Sequence, residues 1–321
     1  MFFAKIGFMN EFEILLFYKY IYLENPEEVA KGQRELQAKF KLKGRTIIAR
    51  EGINATVEGT KENIAGYAAE LLSDRRFADV HFKRSPGTGE AFPKTYVKVR
   101  QEIVTLGLGS GCDINPNVLT GKRLKPEELH EWIKVGREFY IIDMRNAYEH
   151  LAGHFKGSVL PPMENFRDLP KFIDSISHLK NRTVLTVCTG GVRCEKASGY
   201  LLSQGFMNVY QLDGGIVSYM EKYPNEDFMG KLYVFDNRII MGFYTDDPKH
   251  EVVGVCSICA KPCERFTNCF DPECHRQVIA CAECELAEGS GFLCKEGCKE
   301  EALLAKMIRQ PEQAKTQSFV L

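Results

Sequence analysis

The chain has 321 residues, with 42 Lys and Arg against 43 Asp and Glu and a formal net charge of -1. This length implies two or three domains. The balanced charge excludes a global basic field for nucleic acid, so any such surface must be local.

Residues 1–23 are apolar but broken by Lys5, Glu11, Glu13 and Lys19. They carry no signal-peptide cleavage pattern and no uncharged run able to span a bilayer, so a cytoplasmic protein without a membrane partner is expected. Phe12 to Tyr20 reads as a strand. Asn25 then caps a helix with Pro26 at its first position, running to about Leu42 and closing near Gly44. Arg45–Arg50 and Ala55–Glu58 read as strands on either side of a turn at Glu51–Asn54, and a second helix runs from Thr60 to about Ser73. Val80–Lys83 and Tyr96–Arg100 are two more strands, or one long hairpin around Ser85–Gly89. The order β-α-β-β-α-β predicts a ferredoxin-like sandwich over residues 1–111. Within it, Lys83, Arg84, Lys94, Lys98 and Arg100 lie near Phe82, Phe92 and Tyr96. Cations can take phosphates while rings stack on unpaired bases. The plainer alternative is the solvated face of a strand.

Gly107 to Asn117 reads as a linker containing an incidental Cys112. Pro126 to Ile133 forms a helix, with the proline and two acids well placed at its start. Phe139–Asp143 is a buried strand ending at an acid that can brace Arg145 or a neighbouring loop. Arg145 and Glu149 are candidates to pair with each other, and His154 is read as a structural residue bonding backbone. Strands and helices alternate through residues 112–224, which predicts an α/β layer with a mainly parallel sheet.

The apolar strand Thr183–Val187 leads directly into Cys188-Thr189-Gly190-Gly191-Val192-Arg193-Cys194-Glu195-Lys196, and a helical pattern follows. Loop N–H groups, the positive end of the following helix and Arg193 all favour a thiolate at Cys188, the reactive form of the side chain. A lone cysteine at a strand end is more often mere packing. The Gly-Gly-x-Arg run and the strand-to-helix switch argue for chemistry. Cys194 is either a resolving thiol for Cys188 or a small buried helix residue. Lys196 does not suit the start of a helix dipole, so a contact to substrate phosphate is expected of it, with Thr189, Gly190, Gly191 and Val192 as the substrate-binding loop.

Nine of the 12 cysteines fall in residues 225–321: Cys256, Cys259, Cys263, Cys269, Cys274, Cys281, Cys284, Cys294 and Cys298. In a cytosolic chain such crowding points to metal or catalysis rather than disulfides. Two Cys-x-x-Cys pairs with a wider third pair are a zinc signal, and this segment is too poor in large apolar residues to build a core unaided. The simplest arrangement puts Cys256, Cys259, Cys281 and Cys284 on one structural zinc and Cys269, Cys274, Cys294 and Cys298 on a second, leaving Cys263 and His275 spare. An iron–sulfur cluster and free thiols are the alternatives. Pro311 to Leu321 is expected to be disordered.

The Cys188 loop resembles the active-site loop of the rhodanese family. Asp143-Met144-Arg145 with Glu149, then Gly153-His154-Phe155-Lys156-Gly157, resembles its upstream signature, and Gly205–Tyr210 with Leu212–Ile216 resembles its closing stretch. The fuller string Cys-Thr-Gly-Gly-Val-Arg-Cys-Glu-Lys is similar to the rhodanese-domain tRNA uridine hydroxylases, with Val192 where Ile is usual. The Arg45–Thr56 stretch resembles that family's acylphosphatase-like N-terminal domain, and Gly230–Arg238 resembles its G-x-x-F-V-F-D-x-R segment. The resemblance implies oxygen-dependent conversion of the wobble uridine of tRNA to 5-hydroxyuridine, with molecular oxygen as co-substrate and the tRNA anticodon loop as partner. No flavin, haem, iron or nicotinamide motif accounts for the oxygen chemistry, and no pattern names the electron donor or the oligomeric state. Two rivals stand beside this expectation: a sulfurtransferase carrying a persulfide on Cys188, and a non-enzymatic tRNA-binding scaffold.

Overall fold

In the computed structural model of the chain, the described residues are 11–109, 114–269, 271, 274 and 277–287. Cys112, His275, Cys294, Cys298 and the segment from Pro311 lie outside them.

The N-terminal part runs β1 (Phe12–Tyr20), α1 (Pro26–Lys39), β2 (Lys43–Ala49), β3 (Gly52–Thr60), α2 (Lys61–Ser73), β4 (Lys83–Pro86) and β5 (Thr95–Val99). Asn25 caps α1 by accepting from Glu28 N, and Thr60 caps α2 by accepting from Asn63 N. The strand order is β4-β1-β3-β2-β5. Its first four strands have the ferredoxin-like arrangement, and β5 extends the sheet by pairing parallel to β2. The hairpin alternative for the last two strands does not form, since β4 and β5 occupy opposite edges of the sheet.

The alternation of β1 decides how this sheet is used. Leu15 and Phe17 join Ile48, Val57 and Val97 in a core against both helices. Ile14, Leu16, Tyr18 and Tyr20 therefore face the other way. That second face is apolar too, and it docks on the central part of the chain. Tyr20, Ala49 and Ile103 cluster with Tyr18, Val104 and Val192.

The central part contains β6 (Lys122–Leu124), α3 (Pro126–Lys134), β7 (Tyr140–Asp143), α4 (Ala147–His150), β8 (Gly153–Phe155), α5 (Leu169–Phe172), β9 (Thr183–Val187), α6 (Val192–Ser203), β10 (Asn208–Leu212) and α7 (Gly215–Lys222). Strands pair in the order β6-β10-β9-β7, all parallel. Apolar clusters fill both faces of this sheet, as a parallel sheet flanked by helices requires.

Beyond it come β11 (Phe228–Gly230), β12 (Leu232–Tyr233), β13 (Ile240–Met241), β14 (Phe266–Asn268), β15 (Gln277–Ile279) and α8 (Ala282–Ala287). The Gly230–Arg238 stretch holds the last residue of β11 and the two residues of β12. β11 pairs back onto β8 and β12 pairs with β13. Among the described residues, no helix is long and apolar enough to cross a membrane.

Candidate active site

Cys188 stands at the C-terminal end of β9, where the chain turns into α6. Gly191 makes that turn in the left-handed region, with φ of 99°, and its N–H donates to Cys188 Sγ at 3.2 Å. The sulfur is fully buried. Burial alone opposes ionisation. The Cys194 thiol, the Arg193 guanidinium and the N–H groups of Cys194 and Gly191 overcome it, bringing the Cys188 thiol down to about 6. Cys194 is equally buried, and both burial and its bond to Cys188 push its thiol up. The two sulfurs therefore act as a donor and acceptor pair: protonated Cys194 supports the Cys188 thiolate.

Arg193 is fixed by Glu149, to which it donates at 2.5 and 2.9 Å, and by Thr189 Oγ1 at 3.2 Å. Glu149, on α4, has no exposure. The expected Arg145–Glu149 pair is thus not made. Arg145 instead forks onto Asp143 at 2.9 and 2.6 Å and donates to Gly153 O at 2.7 Å, holding the end of β7 beside β8. Asp143 has the bracing role expected of it, toward Arg145. His154 Nδ1 lies 3.3 Å from His150 O, a backbone contact.

The N-terminal sheet roofs this loop. A Cβ added at Gly190 would lie 2.8 Å from Leu16 Cδ2, and one at Gly191 would lie 2.9 Å from the Tyr18 hydroxyl. Tyr20 OH donates to Val192 O at 3.1 Å, and Tyr18 OH donates to Glu195 Oε1 at 3.0 Å. Of the five residues expected to bind substrate, Gly190, Gly191 and Val192 are thus packed under β1. Thr189 lines a cavity of about 70 Å³ together with Leu16, Thr56, Lys83 and Phe235.

Lys196 is a correction. Its ammonium is fully buried, 2.7 Å from Glu51 and 2.5 Å from Glu102. It clamps α6 to the N-terminal part and has no face left for a phosphate.

Lys83 is a second correction. Expected on an outer RNA surface, it turns inward over the Tyr18 ring, 4.9 Å from its centroid. Burial lowers its ammonium to about 8 against the pull of Cys188. It lines both the small cavity and a larger cleft of about 880 Å³ between the two parts of the chain, with Arg123, Asp213 and Gly214 on the far wall. Phe92 is buried with Ile14 and Ala91, so it cannot stack on a base. Sequence reasoning missed Leu16, Tyr18, Tyr20 and Phe235. The unbroken apolar run Ile14–Tyr18 was the available signal, because a strand apolar on both faces is covered on both.

In the C-terminal part, the sulfurs of Cys256, Cys259, Cys281 and Cys284 all lie within 4.8 Å of one another. Cys259 and Cys281 sulfurs are 3.8 Å apart. Four thiolates at ~2.3 Å around a tetrahedral ion stand about 3.8 Å from each other, so this group fits a metal such as zinc. N–H groups of Cys259, Cys281 and Ile258 hold the Cys256 thiol down at about 6. Cys269 is buried and Cys274 half-buried. The other two residues of the expected second set lie outside the described residues.

A parallel α/β domain with a charge-supported cysteine at a strand end, roofed by a ferredoxin-like domain and followed by a four-cysteine cluster, is a rhodanese-type architecture with two added modules. Family profiles match it in that order: the UPF0176 acylphosphatase like domain over residues 12–103, the Rhodanese-like domain over 125–222 and the Rhodanase C-terminal domain over 229–299. The tRNA uridine(34) hydroxylase of Bacillus licheniformis is 43% identical over 279 residues, 86% of this chain and 85% of that one. That of Cytophaga hutchinsonii is 41% identical over 91% of both chains, and that of Bacillus cereus 39% identical over 92% of this chain and 96% of the other. The chain belongs to the tRNA uridine(34) hydroxylase family.

Proposed function

We propose that the chain is a tRNA-modifying enzyme that hydroxylates uridine 34, in the anticodon loop, at C5. The observation that carries the reading is the Cys188 thiolate, held ionised by Arg193 and Cys194 inside a three-part chain shared with the named hydroxylases. Cys188 adds to C6 of uracil and makes C5 electron-rich. C5 takes one oxygen atom from molecular oxygen. The other leaves as water, which requires two electrons and two protons. C5 first carries the oxygen as a hydroperoxide. Loss of the C5 proton then expels Cys188 from C6 as a thiolate and restores the ring. The freed Cys188–Cys194 pair breaks the O–O bond and closes to a disulfide, so uridine, oxygen and two thiols give 5-hydroxyuridine, water and one disulfide. A separate donor then reduces the pair for the next turnover. An unpaired loop base reaches such a pocket at low cost, since it need not leave a duplex. Because Cys188 is sealed under β1 in this structure, the reaction includes a step that opens the wall beside Thr189.

Zinc on Cys256, Cys259, Cys281 and Cys284 is part of this proposal, as a structural ion. When bound it closes the C-terminal fold and takes no part in the oxidation. The test is nucleoside mass spectrometry of tRNA from a strain lacking the gene, complemented with wild type or Cys188→Ser. Hydroxylated uridines that return only with wild type support the reading. Altered thiolated uridines with unchanged hydroxylation would instead favour sulfur transfer.

A further inference from the structure

The outer face of the N-terminal sheet is covered over only part of its width. Register fixes which side chains share it. Lys83 pairs with Leu16, Leu16 with Thr56, Thr56 with Arg45 and Arg45 with Tyr96. These five residues form one rank across all five strands. A second rank runs Tyr18, Asn54, Ile47 and Lys98. Directly opposed residues share a face of the sheet, so each rank looks out from the same side.

The near half of both ranks lies on the Cys188 loop, with Leu16 against Gly190 and Tyr18 against Gly191. The far half is open: Arg45, Lys98 and Arg100 are exposed and Tyr96 is half-exposed. Three inter-strand steps separate β1 from β5, about 14 Å at the usual strand spacing. Thr56 joins the halves, since it pairs with Arg45 and also lines the cavity beside Thr189.

The charge on the open half is one-sided. Among the described residues, Arg45, Lys94, Lys98 and Arg100 enter no ion pair, while Glu51 and Glu102 are spent on Lys196. Glu58 is turned away and accepts from the N–H groups of Thr88, Gly89 and Ala91. Lys98 Nζ lies 4.6 Å from the centre of the Tyr96 ring, and Lys98, Arg100 and Arg45 pull the Tyr96 phenol down from its ordinary value. Uncompensated cations around an accessible ring, on the same sheet face as the Thr56 that lines the cavity beside Thr189, match single-stranded RNA.

We propose that Arg45, Tyr96, Lys98 and Arg100 form the track on which the RNA strand flanking the target uridine lies. The cations take its phosphates, Tyr96 stacks on an unpaired neighbouring base, and Thr56 and Lys83 mark where the strand turns in toward Cys188. This inference rests on the tRNA reading and adds the path of the substrate.

The experiment measures affinity of the full chain for a synthetic anticodon stem-loop by fluorescence anisotropy over a salt series. The variants are Arg45→Gln/Lys98→Gln/Arg100→Gln, Tyr96→Ala, and a control on the helical face, Lys31→Gln/Lys39→Gln. Their circular dichroism and melting are checked against wild type. With roughly 0.7 of a counterion released per phosphate on a single strand, the triple variant should lower the log–log salt slope by about 2. Its affinity at low salt should fall by tenfold or more. Tyr96→Ala should cost about fivefold, the low end for a lost stacking partner, while the helical control binds as wild type.

If wild type binds the stem-loop and the triple variant binds it equally with the same slope, the track is wrong and the tRNA reading survives. If wild type does not bind, the tRNA reading fails and the track with it. If the triple variant instead dissociates a dimer seen by sedimentation, with RNA affinity unchanged, the face is a contact between copies and the proposal is overturned.

Discussion

Replacing Lys196 separates two accounts of the same residue. If it touched substrate phosphate, Lys196→Ala would weaken tRNA binding and leave the fold intact. The structure places its ammonium with no exposure between Glu51 and Glu102. Removing one partner of a buried ion pair typically costs about 3–5 kcal/mol, because the remaining charge stays desolvated. Here the low end applies. Glu51 keeps an N–H donor from Ile103 at 2.6 Å, and Glu102 keeps those of Leu106 and Gly107 at 3.0 and 3.2 Å. A loss of about 3 kcal/mol lowers Tm by roughly 6–12 °C for a chain unit of this size. The companion variant Lys196→Met/Glu51→Gln/Glu102→Gln removes every charge and should recover most of that loss. Scanning calorimetry of the three proteins is the assay. An unchanged melting temperature in Lys196→Ala, with tRNA affinity reduced, would refute the clamp and restore the phosphate contact.

The remaining predictions concern the thiols, the loop and the metal. Because Cys188 reacts as the thiolate and ionises at about 6, the single-turnover rate should rise with pH through that value and level off above it. Cys194→Ala removes a donor to the thiolate, so the Cys188 thiolate titration, followed without turnover by its absorbance at about 240 nm, should move upward; a midpoint that stays put would remove Cys194 from that role. Gly191→Ala imposes a Cβ at φ of 99° and 2.9 Å from the Tyr18 hydroxyl. It should cost ~1–3 kcal/mol by denaturant titration, and Tyr18→Phe should not rescue it, since the backbone strain remains. Elemental analysis should find zinc in the purified chain, and Cys281→Ser should lower the content by one equivalent. An unchanged zinc content would show that the Cys256, Cys259, Cys281 and Cys284 group is not the site.

Local pattern carried much of this fold. Asn25-Pro26 and Thr60 mark their helices because capping is a matter of three or four consecutive residues. The parallel sheet around β9 and the Cys188 turn were legible for the same reason: strand, glycine and helix follow one another directly. What sequence order could not show was contact between distant segments. β4 and β5 are joined by a short loop region and still sit at opposite sheet edges, because β4 pairs with β1 and β5 with β2. Lys196 looked misplaced at a helix start only while the acids that hold it, 94 residues away in the case of Glu102, were out of view. Glu149 was visible as part of a motif. Its partner proved to be Arg193 rather than Arg145, a choice made by the packing of α4 on the loop. Spacing marked each Cys-x-x-Cys pair, since such pairs bring two sulfurs together whatever the surrounding fold. That the pairs at Cys256 and Cys281 meet is a contact between distant segments that only the structure shows.

The most direct test of the central claim is a single turnover of the reduced chain with unmodified tRNA under isotopically labelled oxygen gas, read by nucleoside and peptide mass spectrometry. The account predicts one labelled oxygen atom on uridine 34, a new Cys188–Cys194 disulfide, and neither product with Cys188→Ser. Unlabelled tRNA carrying a new sulfur atom, or labelled product formed equally well by Cys188→Ser, would contradict it.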